Sequence, residues 1–333
     1  MPNRPKRHHQ VPRAYLNRFG VGETVKVRWR DDKRYETNTL NVAVESGFYD
    51  MPDQPDRSRS WVEEALAVAD DDAAKAMAAI DRTGGLPVDG SKEHTALATF
   101  VALQFTRTTG QREQVMFPER LAAWAGQRTI TEDLVAEYLE RVHLGFPPRP
   151  REAEAAHLYV SKVLEDGPVP TARAIELMLG LAEVIVPGLL RLHWTLELDR
   201  NERFITSDVP VVVWHKPSRM DEFRGIGIET ATELRLPLDP GKQLVLSKRP
   251  RVRVLPVAPH RVAHSNADMA DGCHRFLVGR PGQRTVIDGL RLDARPPVAR
   301  FNVGPLLVEG PDGSKVRDSE VLHMFVPRRP QHR

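Results

Sequence analysis

Several residue types and patterns that define common protein classes are scarce in this chain of 333 residues. Its one cysteine, Cys273, excludes an intramolecular disulfide and a zinc site built from several cysteines. No apolar run reaches the length of a membrane span, and the basic first residues lack the apolar core of a secretory signal. The 48 Lys and Arg nearly balance the 45 Asp and Glu, so the formal net charge of +3 is only a weak argument for nucleic-acid binding. We therefore expect a cytoplasmic globular protein, and the Ala-, Arg-, Val- and Pro-rich composition suggests a bacterial one.

Two motifs of common chemistries are also missing. Gly225-Ile226-Gly227 lacks the third glycine and the strand-to-helix context of a dinucleotide-binding loop. Ser207 is not flanked by the glycines of the Gly-x-Ser-x-Gly turn that exposes the nucleophile of α/β-hydrolases. The sequence thus offers neither a glycine-rich phosphate loop nor this kind of serine nucleophile.

The periodicity of apolar residues divides the chain into three sub-regions. In residues 1–59, Thr24 to Arg30 alternates with period two and turns back at Asp31-Asp32-Lys33, which predicts a β-hairpin. Residues 60–190 carry helical patterns, and residues 191–333 mix strand and helix patterns. These patterns predict an α+β fold with an N-terminal β-hairpin, a helical middle and a mixed α/β C-terminal half. We expect residues 1–333 to form a single integrated domain.

The boundaries of the elements follow from capping residues and breakers. Ser60, with Glu63 three residues later, predicts a capping box that starts the first long helix. Gly304-Pro305 is expected to interrupt a strand over 298–308. The helices are predicted over about 60–82, 92–109, 112–125 with a break at Pro118, 131–143, 153–165, 171–187, 258–276 and 283–291.

The N-terminal box His8-His9-Gln10-Val11-Pro12-Arg13-Ala14-Tyr15-Leu16-Asn17-Arg18-Phe19 carries the strongest chemical signal. Histidine ligates metals and transfers protons near neutral pH. Adjacent histidines point to different sides of a regular element, so we expect one of them to serve as a divalent-metal ligand or general base, with Glu63 or Asp208 as its partner. The alternative is that one histidine packs beneath Tyr15 or caps the short helix. Tyr15 is a candidate substrate-binding residue.

Gln104 and Arg107 share one helix face and interrupt an apolar stripe. A buried arginine must be paired, because an unpaired buried charge is costly. One interpretation is a clamp for a phosphate or another anion, for which the planar guanidinium is suited. The other is an internal salt bridge, for example to Glu63 or Asp208.

Ser207 and Asp208 are expected where a strand meets a turn, a position that active-site residues favour. Asp208 is a candidate catalytic residue and metal ligand, and Ser207 a candidate substrate-binding residue. A purely local turn, stabilised by hydrogen bonds from these two side chains, explains the same pattern.

The order of these landmarks is similar to that of a known bacterial family. The box is followed by Val42-Ala43-x-Glu45-x-x-Phe48-Tyr49, by Val62-Glu63, by Phe100-Val101-Ala102-Leu103-Gln104-x-x-Arg107-Thr108, and by Phe204-Ile205-Thr206-Ser207-Asp208-x-Pro210-Val211. Over roughly residues 7–280 the chain resembles the domain of unknown function 4238 family. That family implies an architecture and no reaction. The chain departs from the expected pattern at Asp70-Asp71-Asp72, where the resemblance implies a second Glu.

Two functional hypotheses fit these residues. The first is a metal-dependent hydrolase or nuclease-like effector acting on a phosphate-containing substrate, with His9, Glu63 and Asp208 catalytic, His8, His9 and Asp208 as metal ligands, and Gln104, Arg107, Ser207 and Tyr15 holding the substrate. The second is a non-enzymatic module that binds nucleic acid or a protein and uses these residues as a structural network. An open cleft around the polar residues would favour the enzyme, and a closed, satisfied cluster would favour the module.

Overall fold

The computed structural model describes residues 7–49, 51, 60–165, 167, 171–216, 227–228, 230–282, 284–309 and 315–326. The chain packs into two compact units, the first formed by Met1–Arg112, Thr171–Lys216 and Ile228–Pro296, the second by Glu113–Pro170, Pro217–Gly227 and Pro297–Arg333. The fold is mixed α+β, as predicted: small sheets in the N-terminal part, helices in the middle, and a mixed sheet with a helix in the C-terminal part. The single integrated domain over 1–333 stays a prediction.

The regular elements come in runs: strands with one short helix first, then helices α2 to α8, then strands with two further helices. The helices are α1 (Arg13–Asn17), α2 (Trp61–Thr83), α3 (Lys92–Thr106), α4 (Thr109–Val115), α5 (Phe117–Ala125), α6 (Glu132–Tyr138), α7 (Glu152–Glu165), α8 (Thr171–Leu190), α9 (Pro259–Gly272) and α10 (Arg284–Asp288). The strands are β1 (Arg7–His9), β2 (Thr24–Trp29), β3 (Arg34–Asn38), β4 (Val44–Ser46), β5 (His193–Leu198), β6 (Thr206–Ser207), β7 (Val212–Trp214), β8 (Glu233–Asp239), β9 (Lys242–Ser247), β10 (Val254–Pro256), β11 (Phe276–Gly279), β12 (Arg300–Glu309) and β13 (Lys315–Phe325).

Helix α2 is the longest helix of the described residues, and its bounds confirm the predicted one. Glu63 and Glu64 lie in its first turn, where negative charge is favourable, and Gly84 ends it in the left-handed conformation with φ 67°. The predicted capping box is wrong. Ser60 makes no side-chain bond to the helix backbone and instead donates to Glu64 Oε1 at 2.7 Å.

Three sheets organise the first unit. The five-stranded sheet has the order β10-β5-β9-β8-β7, in which β10 is parallel to β5 and the other neighbours are antiparallel. The four-stranded sheet has the order β3-β2-β11-β6, and β1 pairs with β4. The predicted hairpin is confirmed as β2 and β3, with Val25 opposite Thr37.

Two predicted elements of the later chain end differently. The helix expected over 258–276 ends at Gly272, because Phe276 to Gly279 form β11 between β2 and β6. The helix expected over 92–109 ends at Thr106, and α4 and α5 follow with Pro118 in the first turn of α5, where its missing N–H costs little.

The second unit packs α5, α6 and α7 with the β12–β13 hairpin. Its core includes Phe117, Leu139 and Phe301. The buried Glu152 carboxylate pairs with Arg300, which outweighs burial and keeps the pKa of Glu152 below its usual range. The expected interruption at Gly304-Pro305 is wrong, since β12 continues through both residues. This ladder has two strands, so the missing N–H of Pro305 is tolerated at an edge. Within the described residues, no helix combines the length and apolarity needed to cross a bilayer.

Candidate functional site

Helix α2 presents Glu63 and Asp70 along one edge, about two turns apart. Their side chains are partly open to solvent, with exposed fractions of 29% and 21%. Each contacts a more deeply buried basic side chain: Glu63 faces His8, and Asp70 faces Arg107. We call these four residues, together with Gln104, the box network.

His8 is held in one tautomer by its two neighbours. The backbone N–H of Tyr49 donates to His8 Nδ1 at 2.9 Å, and His8 Nε2 lies 3.4 Å from Glu63 Oε1. A neutral imidazole whose Nδ1 accepts a hydrogen bond carries its proton on Nε2. The ring therefore directs that proton toward Glu63, and both of its nitrogens are engaged.

His9 lies next to His8 in β1, opposite Val44 of β4. Successive residues of a strand point to opposite faces, so the half-buried His9 does not share the surroundings of His8. The carboxylate contact expected of one of the two histidines is made by His8, with Glu63.

Arg107 ends α3 and is 1% exposed. Its guanidinium donates to both oxygens of Asp70, with Nη2 2.7 Å from Oδ1 and Nη1 3.2 Å from Oδ2. With the Gln104 amide oriented to satisfy both of its atoms, the Gln104 oxygen accepts from Arg107 Nε at 2.9 Å. Burial alone would lower the pKa of Arg107, but Asp70 and Tyr49 outweigh it and raise that pKa. The predicted internal salt bridge exists, and its partner is Asp70 rather than Glu63 or Asp208.

Tyr15 packs its ring against Phe19 and Phe100. Its hydroxyl donates to the Pro237 carbonyl at 2.7 Å and lies 2.9 Å from Thr206 Oγ1. Burial raises the pKa of the phenol well above its usual value. The residue predicted to bind substrate thus joins α1 to β6 and β8.

Asp208 and Ser207 lie at the end of β6, and Arg275 connects Asp208 to the box: its Nε lies 3.7 Å from Asp208 Oδ2, and its Nη2 donates to Gln10 Oε1 at 2.9 Å. Asp208 accepts the backbone N–H groups of His274 and Arg275, at 2.9 and 2.7 Å. Its carboxyl is fully buried, which raises its pKa although these donors act in the opposite direction. Ser207 Oγ accepts the N–H of Val209 at 3.0 Å. Asp208 therefore fastens the connection between α9 and β11, and Ser207 stabilises its own turn.

The predicted metal ligands His8, His9 and Asp208 do not form one site. His8 and His9 point to opposite sides of β1, and each oxygen of Asp208 accepts a backbone N–H. Throughout the part of the chain that the structure describes, no three His, Cys, Asp or Glu side chains are grouped to hold a metal ion. The catalytic roles assigned to His9, Glu63 and Asp208 stay predictions.

A buried charged cluster, which the sequence patterns did not predict, lies between the five-stranded sheet and α9. Arg235, 2% exposed, donates to Glu233 at 2.6 Å and to Asp268 at 2.7 Å. Arg261 donates to Glu233 at 2.9 Å and to Glu197 at 3.0 Å. Burial alone would raise the pKa of Glu233, but Arg235 and Arg261 outweigh it and lower that pKa to about 2. The sequence signal is the charged alternation Glu233-x-Arg235 within a strand and the helical spacing of Arg261 and Asp268.

A small cavity adjoins the box network between α1, α2 and α3. Its volume is about 70 Å³, and its walls include Pro12, Tyr15, Asp70, Met77 and Phe100. A cavity of this size holds a few atoms beside the Asp70 carboxylate. The arrangement can therefore accommodate water or a very small ligand, and the larger side chains around it are engaged with one another.

The family model described as "Protein of unknown function (DUF4238)" matches residues 7–283. The chain belongs to this family. No curated protein and no solved structure matches the chain.

The family match includes every residue of the box network, the Asp208 turn and the charged cluster under α9. It ends before α10, so the β12–β13 hairpin lies outside it. The candidate site and both buried polar clusters of the first unit therefore belong to the part of the chain that the family shares.

Proposed function

We propose that this DUF4238 protein is a non-enzymatic binding module whose N-terminal box is a structural network. The observation that carries the proposal is that His8, Arg107 and Asp208 direct their polar atoms at other groups of the same chain. A general base needs a free lone pair, and a metal ligand needs one as well. His8 uses the lone pair of Nδ1 to accept from Tyr49. Asp208 accepts a backbone N–H at each oxygen and is 2% exposed, so a ligand or substrate from solvent does not reach its remaining lone pairs.

The box network also joins elements that are distant in the sequence. Glu63 and Asp70 lie on α2, His8 lies on β1, and Arg107 ends α3. Farther along α2, Asp81 accepts from Arg18 Nη1 at 2.9 Å, next to α1. Acidic residues of α2 thus hold the N-terminal segment and α3 in place, which is a structural role.

A metal-dependent hydrolase acting on a phosphate-containing substrate is the second candidate. It is favoured by the solvent-facing carboxylates of Glu63 and Asp70, which a ligand could reach from outside. Arg107 behind Asp70 would then help to hold an anion. Such a site would require His8 or Arg107 to leave its present partner.

The two proposals are separated by comparing the wild type with His8→Ala, His9→Ala and Asp208→Ala, since the hydrolase requires all three residues. Bound metal, thermal stability with and without Mn²⁺ or Zn²⁺, and hydrolysis of a phosphodiester are measured for each. The module predicts no metal-dependent turnover, lower melting temperatures for His8→Ala and Asp208→Ala, and a smaller change for His9→Ala. Stoichiometric metal and turnover that disappear in variants with a native circular dichroism spectrum would overturn the module and establish the hydrolase.

A further inference from the structure

The topology of the five-stranded sheet brings basic residues from distant segments to one edge. Because β10 is parallel to β5 and the other neighbours alternate, the starts of β10, β5 and β8 and the ends of β9 and β7 lie together. The register places His193 opposite Ser247, and Glu233 opposite both Ser247 and Trp214. The residues that flank these strand ends are Arg191, Lys216, Lys248, Arg249, Arg251 and Arg253, which we call the sheet-edge cations.

These residues form a row rather than a compact cluster. Neighbouring strands are about 4.8 Å apart, so the five strands span roughly 19 Å. All six residues are exposed. A line of positive charge of this length matches the linear array of phosphates on a nucleic-acid backbone better than it matches a flat membrane surface.

Part of the row is neutralised by the protein itself, and part is not. Arg251 pairs with the buried Glu233 at 2.5 Å, and Arg253 pairs with Asp89 at 3.0 Å. Arg191 and Arg249 make no salt bridge to any described residue. These two guanidinium groups are therefore available to an external anion.

The opposite edge of the sheet lacks this excess of positive charge. There Lys242 contacts Asp239 at 2.8 Å and Asp81 at 3.0 Å, and Arg203 contacts Asp199 at 2.7 Å. These acidic and basic groups neutralise each other, and Arg200 is an exposed arginine at that edge outside these pairs. Because of this asymmetry, the edge with the sheet-edge cations has the charge that a polyanion-binding surface needs.

We propose that the sheet-edge cations bind the phosphodiester backbone of a nucleic acid. The inference rests on the proposed function, because it gives the binding module its class of partner. Arginine donates two parallel hydrogen bonds to a phosphate, and such bonds supply affinity without reading the base sequence.

The test is fluorescence anisotropy of a labelled 20-nucleotide single-stranded DNA with the full chain at 50 to 200 mM NaCl. Arg191→Glu combined with Arg249→Glu is compared with Arg200→Glu as a matched control. Arg191 precedes the start of β5 by two residues, and Arg200 follows its end by two residues at the opposite edge, so both arginines are exposed at equivalent places. Circular dichroism spectra confirm that the variants are folded.

We expect the double variant to bind at least about tenfold more weakly at 100 mM NaCl, with a salt slope smaller by about 0.7 for each phosphate that is no longer neutralised. Arg200→Glu should stay within about twofold of the wild type, because Arg200 does not belong to the row. No binding by the wild type, equally weakened binding by the double variant and Arg200→Glu, or equally tight binding of labelled poly-glutamate would overturn the inference.

Failure of this inference is distinguishable from failure of the proposed function. The module fails if the wild type shows metal-dependent turnover that His8→Ala or Asp208→Ala removes. The nucleic-acid surface fails if charge reversal leaves DNA binding unchanged. The two experiments alter different residues and measure different quantities.

Discussion

Replacing Asp70 by Asn tests whether the Asp70–Arg107 pair holds α2 and α3 together. The substitution keeps the size of the side chain but removes the negative charge that faces a guanidinium with an exposed fraction of 1%. Breaking a buried ion pair from one side commonly costs about 3–5 kcal/mol. Asp70 is 21% exposed, and Gln104 retains its bond to Arg107. We therefore expect the free energy of unfolding to fall by about 2–3 kcal/mol.

The measurement is urea unfolding followed by far-ultraviolet circular dichroism, with the m-value checked for constancy. Asp72→Asn is the matched control on the same helix, since its carboxylate is 55% exposed and lies 3.4 Å from Lys75. Exposed pairs of this kind contribute at most about 0.5 kcal/mol. In an Asp70→Asn chain, the further change Arg107→Met should recover part of the lost stability, because it removes the unpaired buried charge. Equal stabilities of Asp70→Asn and Asp72→Asn would refute the structural role of the pair.

Three other expectations follow from the buried groups. The folded pKa of Glu233 is about 2, below its usual 4.5. Ionised Glu233 should therefore stabilise the fold above pH 4.5, and roughly 2–3 kcal/mol of this contribution should be lost as the pH falls toward 2. In urea unfolding at pH 6, 4 and 3, the free energy of unfolding should decline more steeply for the wild type than for Glu233→Gln. Cys273 is buried and its thiol pKa is raised, so the native protein at pH 8 should not react with a disulfide reagent that labels one thiol in guanidinium; rapid native labelling would contradict this. Tyr15→Phe removes the donor to the Pro237 carbonyl and should cost about 1–2 kcal/mol in urea unfolding, whereas an unchanged midpoint would make the hydroxyl dispensable.

Elements with a strong local period could be predicted from the sequence. The bounds of α2 and the β2–β3 hairpin depend on residues close in the chain, and both predictions are confirmed. The end of α9 depends on β11 pairing with β2, whose residues are nearly 250 positions away. Helical periodicity continues past Gly272, and no local pattern shows that Phe276 will pair with the distant strand β2.

The candidate site shows the same limit at the level of single side chains. The need for a carboxylate partner followed from the apolar surroundings of Arg107, but choosing Asp70 required the positions of two helices. Asp70 follows Glu63 by seven residues, so both lie on one edge of α2. This seven-residue spacing indicates that Asp70 could serve as a second carboxylate beside Glu63. The resemblance implies a Glu at this part of the helix, and the aspartate in its place made the signal harder to see.

The bonds of Tyr15 and Arg18 have a consequence for when the chain can finish folding. Tyr15 bonds to Thr206 and to the Pro237 carbonyl, and Arg18 donates to the Leu238 carbonyl at 2.7 Å. A ribosome adds about 5–20 residues per second, so roughly 10 to 45 seconds separate the synthesis of these partners. During that interval Phe100 is already available to the Tyr15 ring, but the Tyr15 hydroxyl and the Arg18 guanidinium lack their carbonyl partners. Completion of the first unit is therefore an event of the finished or nearly finished chain, and folding that closes contacts so distant in sequence is slow and exposed to aggregation.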